Sequence, residues 1–355
     1  MAGGTGGTDA HSDGICRIQK GDRSMSVTIR DVAAAAGVST ATVSKVINHS
    51  PTISQETVER VQEVIRQMGY RPNKRAQSFA RRATKNILFL SELEHGVGFE
   101  NPHLFEMLAG AEAALARKDY GLLIKRINSR ELVNSFADIM DSEYVDGAIV
   151  HASVVSKEVA VLLTDTSFPY VVIGMPDFSN RLCWIDTNNN VAGQIAASHL
   201  RKKGYERIAY IGGSKEDTIS LHRLDGVLDS LGTTVPTGYI RHGAPSSETG
   251  FQCTMELLAL GEKPQAIICA NQYLAFGCVE ALKHSGIVIP RQMAVLTFDD
   301  FPFSKVLDPP LTVVDLDMYD MGEQAAKIML RRIKNPQLLV QSYTTLPSLI
   351  EREST

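Results

Sequence analysis

The tightest constraint in this chain lies between residues 28 and 48, where small, turning and apolar residues fall at fixed intervals. Thr28-Ile29-Arg30-Asp31 sets a hydroxyl and a carboxylate three residues apart, the pair that satisfies the first free N–H groups of a helix. That helix runs through Val32-Ala33-Ala34-Ala35-Ala36 and stops at Gly37, which takes the positive φ of a tight turn without a Cβ penalty. Val38 then buries, and Ser39 offers its hydroxyl as N-cap to a second helix over Thr40 to Asn48. Ala33 is small where the helices would cross, Gly37 turns the chain, and Val43 plugs the space between. The Ala-x3-Gly-x5-Val spacing predicts a helix-turn-helix.

A helical wheel of the second helix separates two faces. Thr42, Val43, Val46 and Ile47 occupy an inner arc from about 200° to 340°, while Thr40, Ala41, Ser44, Lys45 and Asn48 occupy an outer arc from about 0° to 140°. The outer groups are short, so the helix could sink into a major groove, and Lys45 could reach a guanine edge or a phosphate. A third helix, capped by Ser54, carries Val58, Val61, Ile65 and Met68 as its buried stripe and ends at Gly69. Beyond Tyr70, Asn73 can cap a short basic helix with Lys74, Arg75, Arg81 and Arg82 around one apolar side chain, Phe79.

Charge divides the chain in the same place. Residues 24–85 carry ten Lys/Arg against four Asp/Glu, a net +6, and the first 23 residues balance three against three. The total of −4 therefore leaves −10 on residues 86–355, a basic head on an acidic body that keeps phosphate attraction local. Residues 1–24 are Gly-, Thr- and Asp-rich without an apolar core, and read as a disordered leader or as the product of a start placed before Met25. The five cysteines show no paired spacing, which fits a reducing cytoplasm. No apolar run is long enough to span a bilayer, so no membrane partner is expected.

From Asn86 onward, apolar runs alternate with amphipathic stretches. Ile87–Leu90, Leu122–Ile124, Gly147–Val150, Val171–Ile173, Ile208–Ile211, Ala266–Cys269 and Ala294–Phe298 read as strands. Leu104–Lys118, Val191–Lys203, Phe251–Leu260 and Tyr273–Ser285 read as helices between them. The expected fold is an N-terminal all-α helix-turn-helix head plus an α/β core of two doubly wound parallel-sheet lobes. Ligands in such cores bind beyond the carboxyl ends of the strands, where His103, Asn271 and Asp299 stand.

The head residues from Asp31-Val32-Ala33 to Thr42-Val43-Ser44-Lys45-Val46-Ile47-Asn48, with the hinge Tyr70-x-Pro72-Asn73-x-x-Ala76, resemble the lac and purine repressor family of bacterial transcriptional regulators. In the core, Asn101-Pro102-His103-Leu104, Val145-Asp146-Gly147, Arg223-Leu224-x-Gly226, Ala270-Asn271, Phe298-Asp299-Asp300 and Pro309-Pro310-Leu311-Thr312 look like the same family's landmarks, so the resemblance covers Val27 to Glu351. It implies a periplasmic-binding-protein-like core that senses a small-molecule effector, and repression of a near-palindromic double-stranded operator by a homodimer. Thr40, Ala41 and Lys45 then stand where bases are read, and Thr28, Ser39, Thr42, Ser44, Asn48, Tyr70 and Asn73 where phosphates are held. Phe79 replaces the usual leucine that wedges into the minor groove; its alternative is packing on its dimer mate or the core.

Arg223, Asn271 and Asp299 are expected to line the effector cleft, with His103 and Leu104 at its rim, and Arg223 and Asp299 on different strand-end loops. Arg223 could equally be a surface salt-bridge partner. The implied domains are a head over 25–72, a hinge helix over 73–85 and a core over 86–355. Within the core, lobe 1 takes about 86–188 and 316–343, and lobe 2 about 189–315 and 344–355.

Three departures concern the cleft. The family's Asn-Asp pair is Asn271-Gln272 here, its Gly-His is Gly204-Tyr205, and an Asp-Arg after the fourth strand is Gly174-Met175. The loop Ser91 to Glu100 is longer than usual and reads as a mobile cleft edge, with Gly96 and Gly98. An apolar Met175 suggests a pocket less dense in hydroxyl-binding groups than a sugar site, and effector identity is not readable. No phosphate-binding loop, dinucleotide fingerprint, nucleophile elbow or metal-spaced histidines are present, so neither enzyme nor cofactor is expected. A secreted solute receptor would suit the core alone, but not the attached head. Inducer-released and corepressor-activated repression both remain open.

Overall fold

The computed structural model describes residues 27–47, 50–70, 83–93, 102–140, 144–232, 235–335, 338 and 342–355. The leader, Asn48, Asn73, Phe79, nearly all of the hinge helix and most of the Ser91–Glu100 loop lie outside them. The chain divides into two units, Met1–Arg82 and Ala83–Thr355.

In the first unit, α1 (Ile29–Ala36), α2 (Thr40–Ile47) and α3 (Gln55–Met68) enclose a small core with Val32, Val43 and Val61 at its centre, all fully buried. The expected capping box forms: Thr28 N–H donates to the Asp31 carboxylate at 2.8 Å, and Asp31 N–H donates back to the Thr28 hydroxyl. Gly37 and Gly69 both adopt left-handed backbone and end their helices. Ser54 precedes α3, but its hydroxyl pairs with that of Thr57 at 2.9 Å instead of capping a backbone N–H.

The second unit holds two six-stranded sheets. Its elements run β1 (Asn86–Ser91), α4 (Pro102–Ala116), β2 (Gly121–Arg126), α5 (Ser129–Met140), β3 (Gly147–His151), α6 (Lys157–Asp165), β4 (Tyr170–Ile173) and β5 (Trp184–Thr187). Then follow α7 (Asn189–Lys202), β6 (Ile208–Gly212), α8 (Thr218–Leu231), β7 (Ile240–His242), α9 (Ser247–Leu258), β8 (Ala266–Cys269), α10 (Gln272–His284) and β9 (Ala294–Phe298). The last elements are α11 (Pro302–Val306), β10 (Thr312–Asp315), α12 (Met318–Lys334), β11 (Tyr343–Thr345) and β12 (Ser348–Ile350).

Lobe 1 has strand order β11-β5-β4-β3-β1-β2 and lobe 2 has β12-β10-β9-β8-β6-β7. All pairings are parallel except β10 with β12. The central strands are buried on both faces, as parallel sheets covered by helices require. The chain crosses between lobes three times, the last after β11, which pairs with β5 through Thr345.

Candidate nucleic-acid interface and effector cleft

On α2 the two predicted faces separate. Val43 and Val46 are buried, whereas Thr40, Ala41 and Lys45 are exposed and Thr42 and Ser44 half-buried. Ser39 accepts from Thr42 N–H at 3.1 Å and shares a hydrogen bond with the Thr42 hydroxyl, which fixes the first turn of the presenting helix. Tyr70 packs against the head core after the α3 stop. These exposed groups are short polar side chains around one cation, a surface able to enter a groove and meet base edges and phosphates.

The second site is built from strand ends of both lobes. Lobe 1 contributes His103 from the first turn of α4, His151 at the end of β3, and Asp186 near the end of β5. Lobe 2 contributes Asn271 and Gln272 after β8 and Asp299 after β9. His103 Nε2 meets Asp299 Oδ2 at 3.3 Å, with the His103 ring edge-on to Phe301. Asp299 is 3% exposed, takes a left-handed φ of 73°, and leaves its Oδ1 buried without a partner among the described residues.

Arg223 is neither on a loop nor on the surface. It projects from within α8, is buried, and its guanidinium lies 4.4 Å over the Phe298 ring. Its Nε donates to Asn189 Oδ1 at 3.0 Å and its Nη1 to the Ala270 carbonyl at 2.5 Å. Burial pushes the Asp186 carboxyl up, while the N–H groups of Met175 and Thr187 and the charges of Arg223 and His222 pull it back. Burial, aided by the charge of His103, drives His151 down to about 4, so at neutral pH it is an uncharged ring that shares a hydrogen bond with the Ser153 hydroxyl.

The structure thus brings His103 and Asp299 together across the lobes, with Asn271 at the neighbouring strand end and Arg223 bonded to the Ala270 carbonyl beside it. Leu104 is a correction: it turns inward and is buried in the lobe 1 core, because the stripe Leu104-Met107-Ala111-Ala114 is the buried face of α4. Asn271 caps α10 by accepting from Leu274 N–H at 3.0 Å, which leaves its amide N–H groups as the ones able to meet a ligand. Sequence reading missed Asp186, Asn189 and His151, and noted Gln272 only as a departure from the family's pattern. All four sit at a strand end or in the first turn after one, and that position was the available signal.

Family models agree with both units. Residues 28–73 match bacterial regulatory proteins of the lacI family, and residues 197–355 match a periplasmic binding protein-like domain. The HTH-type transcriptional repressor PurR of Haemophilus influenzae (strain PittEE) is 32% identical over 335 residues, 92% of this chain and 98% of that one. Among solved structures, a transcriptional regulator CelR–cellobiose complex is 25% identical with a TM-score of 0.68, covering 93% of this chain and 100% of that one. The lac repressor dimer bound to operator and the anti-inducer ONPF is 23% identical with a TM-score of 0.78, and covers 93% of this chain and 99% of that one.

A helix-turn-helix head joined to a two-lobed, periplasmic-binding-protein-like core defines a ligand-responsive transcriptional regulator. The chain belongs to the lacI family of bacterial regulatory proteins.

Proposed function

We propose that this regulator represses transcription as a homodimer on a near-palindromic operator in the cytoplasm, with a head over 25–72, a hinge over 73–85 and a core over 86–355. Thr40, Ala41 and Lys45 read bases, and Thr28, Ser39, Thr42, Ser44, Asn48, Tyr70 and Asn73 hold phosphates, with Phe79 as the minor-groove wedge. The PurR relative is a repressor, and the lac repressor structure is a dimer on operator; both support this assembly.

The effector lies between the lobes against His103, Asn271 and Asp299, with Arg223 bracing the floor. One observation carries this reading: Asp299 presents a buried carboxylate oxygen with no partner among the described residues, and its other oxygen meets His103 of the opposite lobe. A buried acceptor left bare is costly, so it calls for a ligand that donates a hydrogen bond. A sugar or other metabolite that presents O–H or N–H groups fits, and CelR was solved with cellobiose. Arg223 is held by Asn189 and the Ala270 carbonyl, Asp186 by backbone N–H groups and His103 by Asp299, which supports a binding site over a catalytic one.

Fluorescence anisotropy on a palindromic operator tests both sites, with and without the best hit of a thermal-shift metabolite screen. Lys45→Ala should cost about 1–3 kcal/mol at one operator position and relax preference there. Asp299→Asn should bind operator normally but lose the metabolite response. An equal loss on cognate and scrambled DNA for Lys45→Ala would reassign it to phosphate; a full response by Asp299→Asn would move the effector elsewhere.

A further inference from the structure

Gln272 is buried at 6% exposure, and its Nε2 donates to the backbone carbonyl oxygen of Asp299 at 2.6 Å. Asp299's own N–H donates to the Val314 carbonyl at 2.9 Å, so the peptide groups on both sides of Asp299 are tied down within lobe 2. Between those ties the backbone adopts φ 73°, a left-handed region uncommon for non-glycine residues, though Asp enters it more readily than most, as Asp119 and Asp317 also do here. This turn is what sends the carboxylate out of β9 and toward the opposite lobe, where Oδ2 meets His103 and Oδ1 has no partner among the described residues.

We propose that Gln272 is a positioning residue of the cleft: its amide holds Asp299 in left-handed backbone, so that one carboxylate oxygen clasps His103 of lobe 1 and the other waits for a ligand donor. The inference rests on the cleft being the effector site. A carboxylate at position 272 could not do this, because an ionised Asp or Glu has no hydrogen to donate to a carbonyl. An amide here is thus the feature that distinguishes this chain's cleft from the Asn-Asp pattern, and it acts through Asp299 without touching ligand.

His103 and Gln272 are on opposite lobes, and Asp299 is the residue that both contact. That arrangement makes a double-mutant cycle decisive. Core melting temperatures of the full-length protein are measured for wild type, H103A, Q272L, Q272E and the two doubles with H103A, all without ligand. H103A should lower Tm by about 1–2 °C in wild type and by clearly less in the Q272L or Q272E background, where the clasp is already broken and only the edge contact with Phe301 is left to lose. Q272E is nearly isosteric and keeps the cycle readable if Q272L fails to fold. If Gln272 only fills space, the two losses will add in both backgrounds, and the proposal is overturned. Because no ligand or operator enters the experiment, this failure is separate from failure of the effector reading, which the operator titration with Asp299→Asn decides.

Discussion

His151 is the residue whose chemistry most directly reports the interior of the cleft. It ends β3, and burial, with the nearby His103 charge, lowers it from the ordinary 6.5 to about 4. In the unfolded chain it takes up a proton near 6.5, whereas the folded chain resists until about 4. Its contribution is therefore fully present above pH 6.5, is lost as pH falls toward 4, and is constant below. Part of the ring remains exposed, so the limiting slope of about 1.4 kcal/mol per pH unit is an upper bound. His151→Gln should flatten the melting-temperature profile of the core between pH 6.5 and 4 relative to wild type; parallel profiles would mean that His151 is charged freely in the fold. Nothing in the sequence marked this histidine: without metal spacing it read as one more isolated histidine, a surface or satisfied group. Asp299 was legible because it follows an apolar strand directly. Arg223 was legible by resemblance but misplaced, since its setting depends on residues far away in sequence.

Helix α8 explains that misplacement and carries a prediction at its own scale. Its sequence Thr218-Ile219-Ser220-Leu221-His222-Arg223-Leu224-Asp225-Gly226 mixes polar residues with a glycine, which weighs against a helix by propensity. Packing reverses that preference. A Cβ at Gly193 of α7 would collide with the carbonyl oxygen of Arg223, and one at Gly226 would collide with that of Asn190. The two helices therefore touch backbone to backbone, and this crossing sets Arg223 beside Asn189. Gly193→Ala should force the helices apart, cost about 1–3 kcal/mol and lower the core Tm by several degrees. Gly261→Ala, with open space around it, serves as the neutral control in the same melting experiment; equal effects would show that the crossing is not close-packed. Strands were more legible where burial was complete: Ala266–Cys269 and Ala294–Phe298 fall where their apolar runs placed them. The half-polar Trp184–Thr187 and the three-residue edge strands have too little pattern to stand out from loop.

For the whole molecule, one head of this size reads only a few base pairs, so operator specificity depends on two heads held by one dimer. The core needs a face on which a second copy can sit, and lobe 2 offers one. Phe303 and Val306 of α11 are exposed at 59% and 76%, and Phe303 lies edge-on to Phe276 of α10. Beside them a groove of about 530 Å³ is lined by Phe276, Val279, Glu280, Lys283, His284 and Leu307. Apolar groups with charges of both signs on one face suit the self-complementary contact of a two-fold dimer. Val306→Asp puts a charge into that contact while disturbing little in the monomer, because the side chain is largely in solvent. The variant should sediment as a monomer at concentrations where the wild type is dimeric. Its affinity for a full palindrome should fall roughly 10²-fold or more, since the second head no longer binds intramolecularly, while binding to an isolated half-site stays unchanged. A Val306→Asp protein that still sedimented as a dimer with full operator affinity would move the subunit contact to another exposed apolar face, such as Leu123 and Ile124 on β2 of lobe 1.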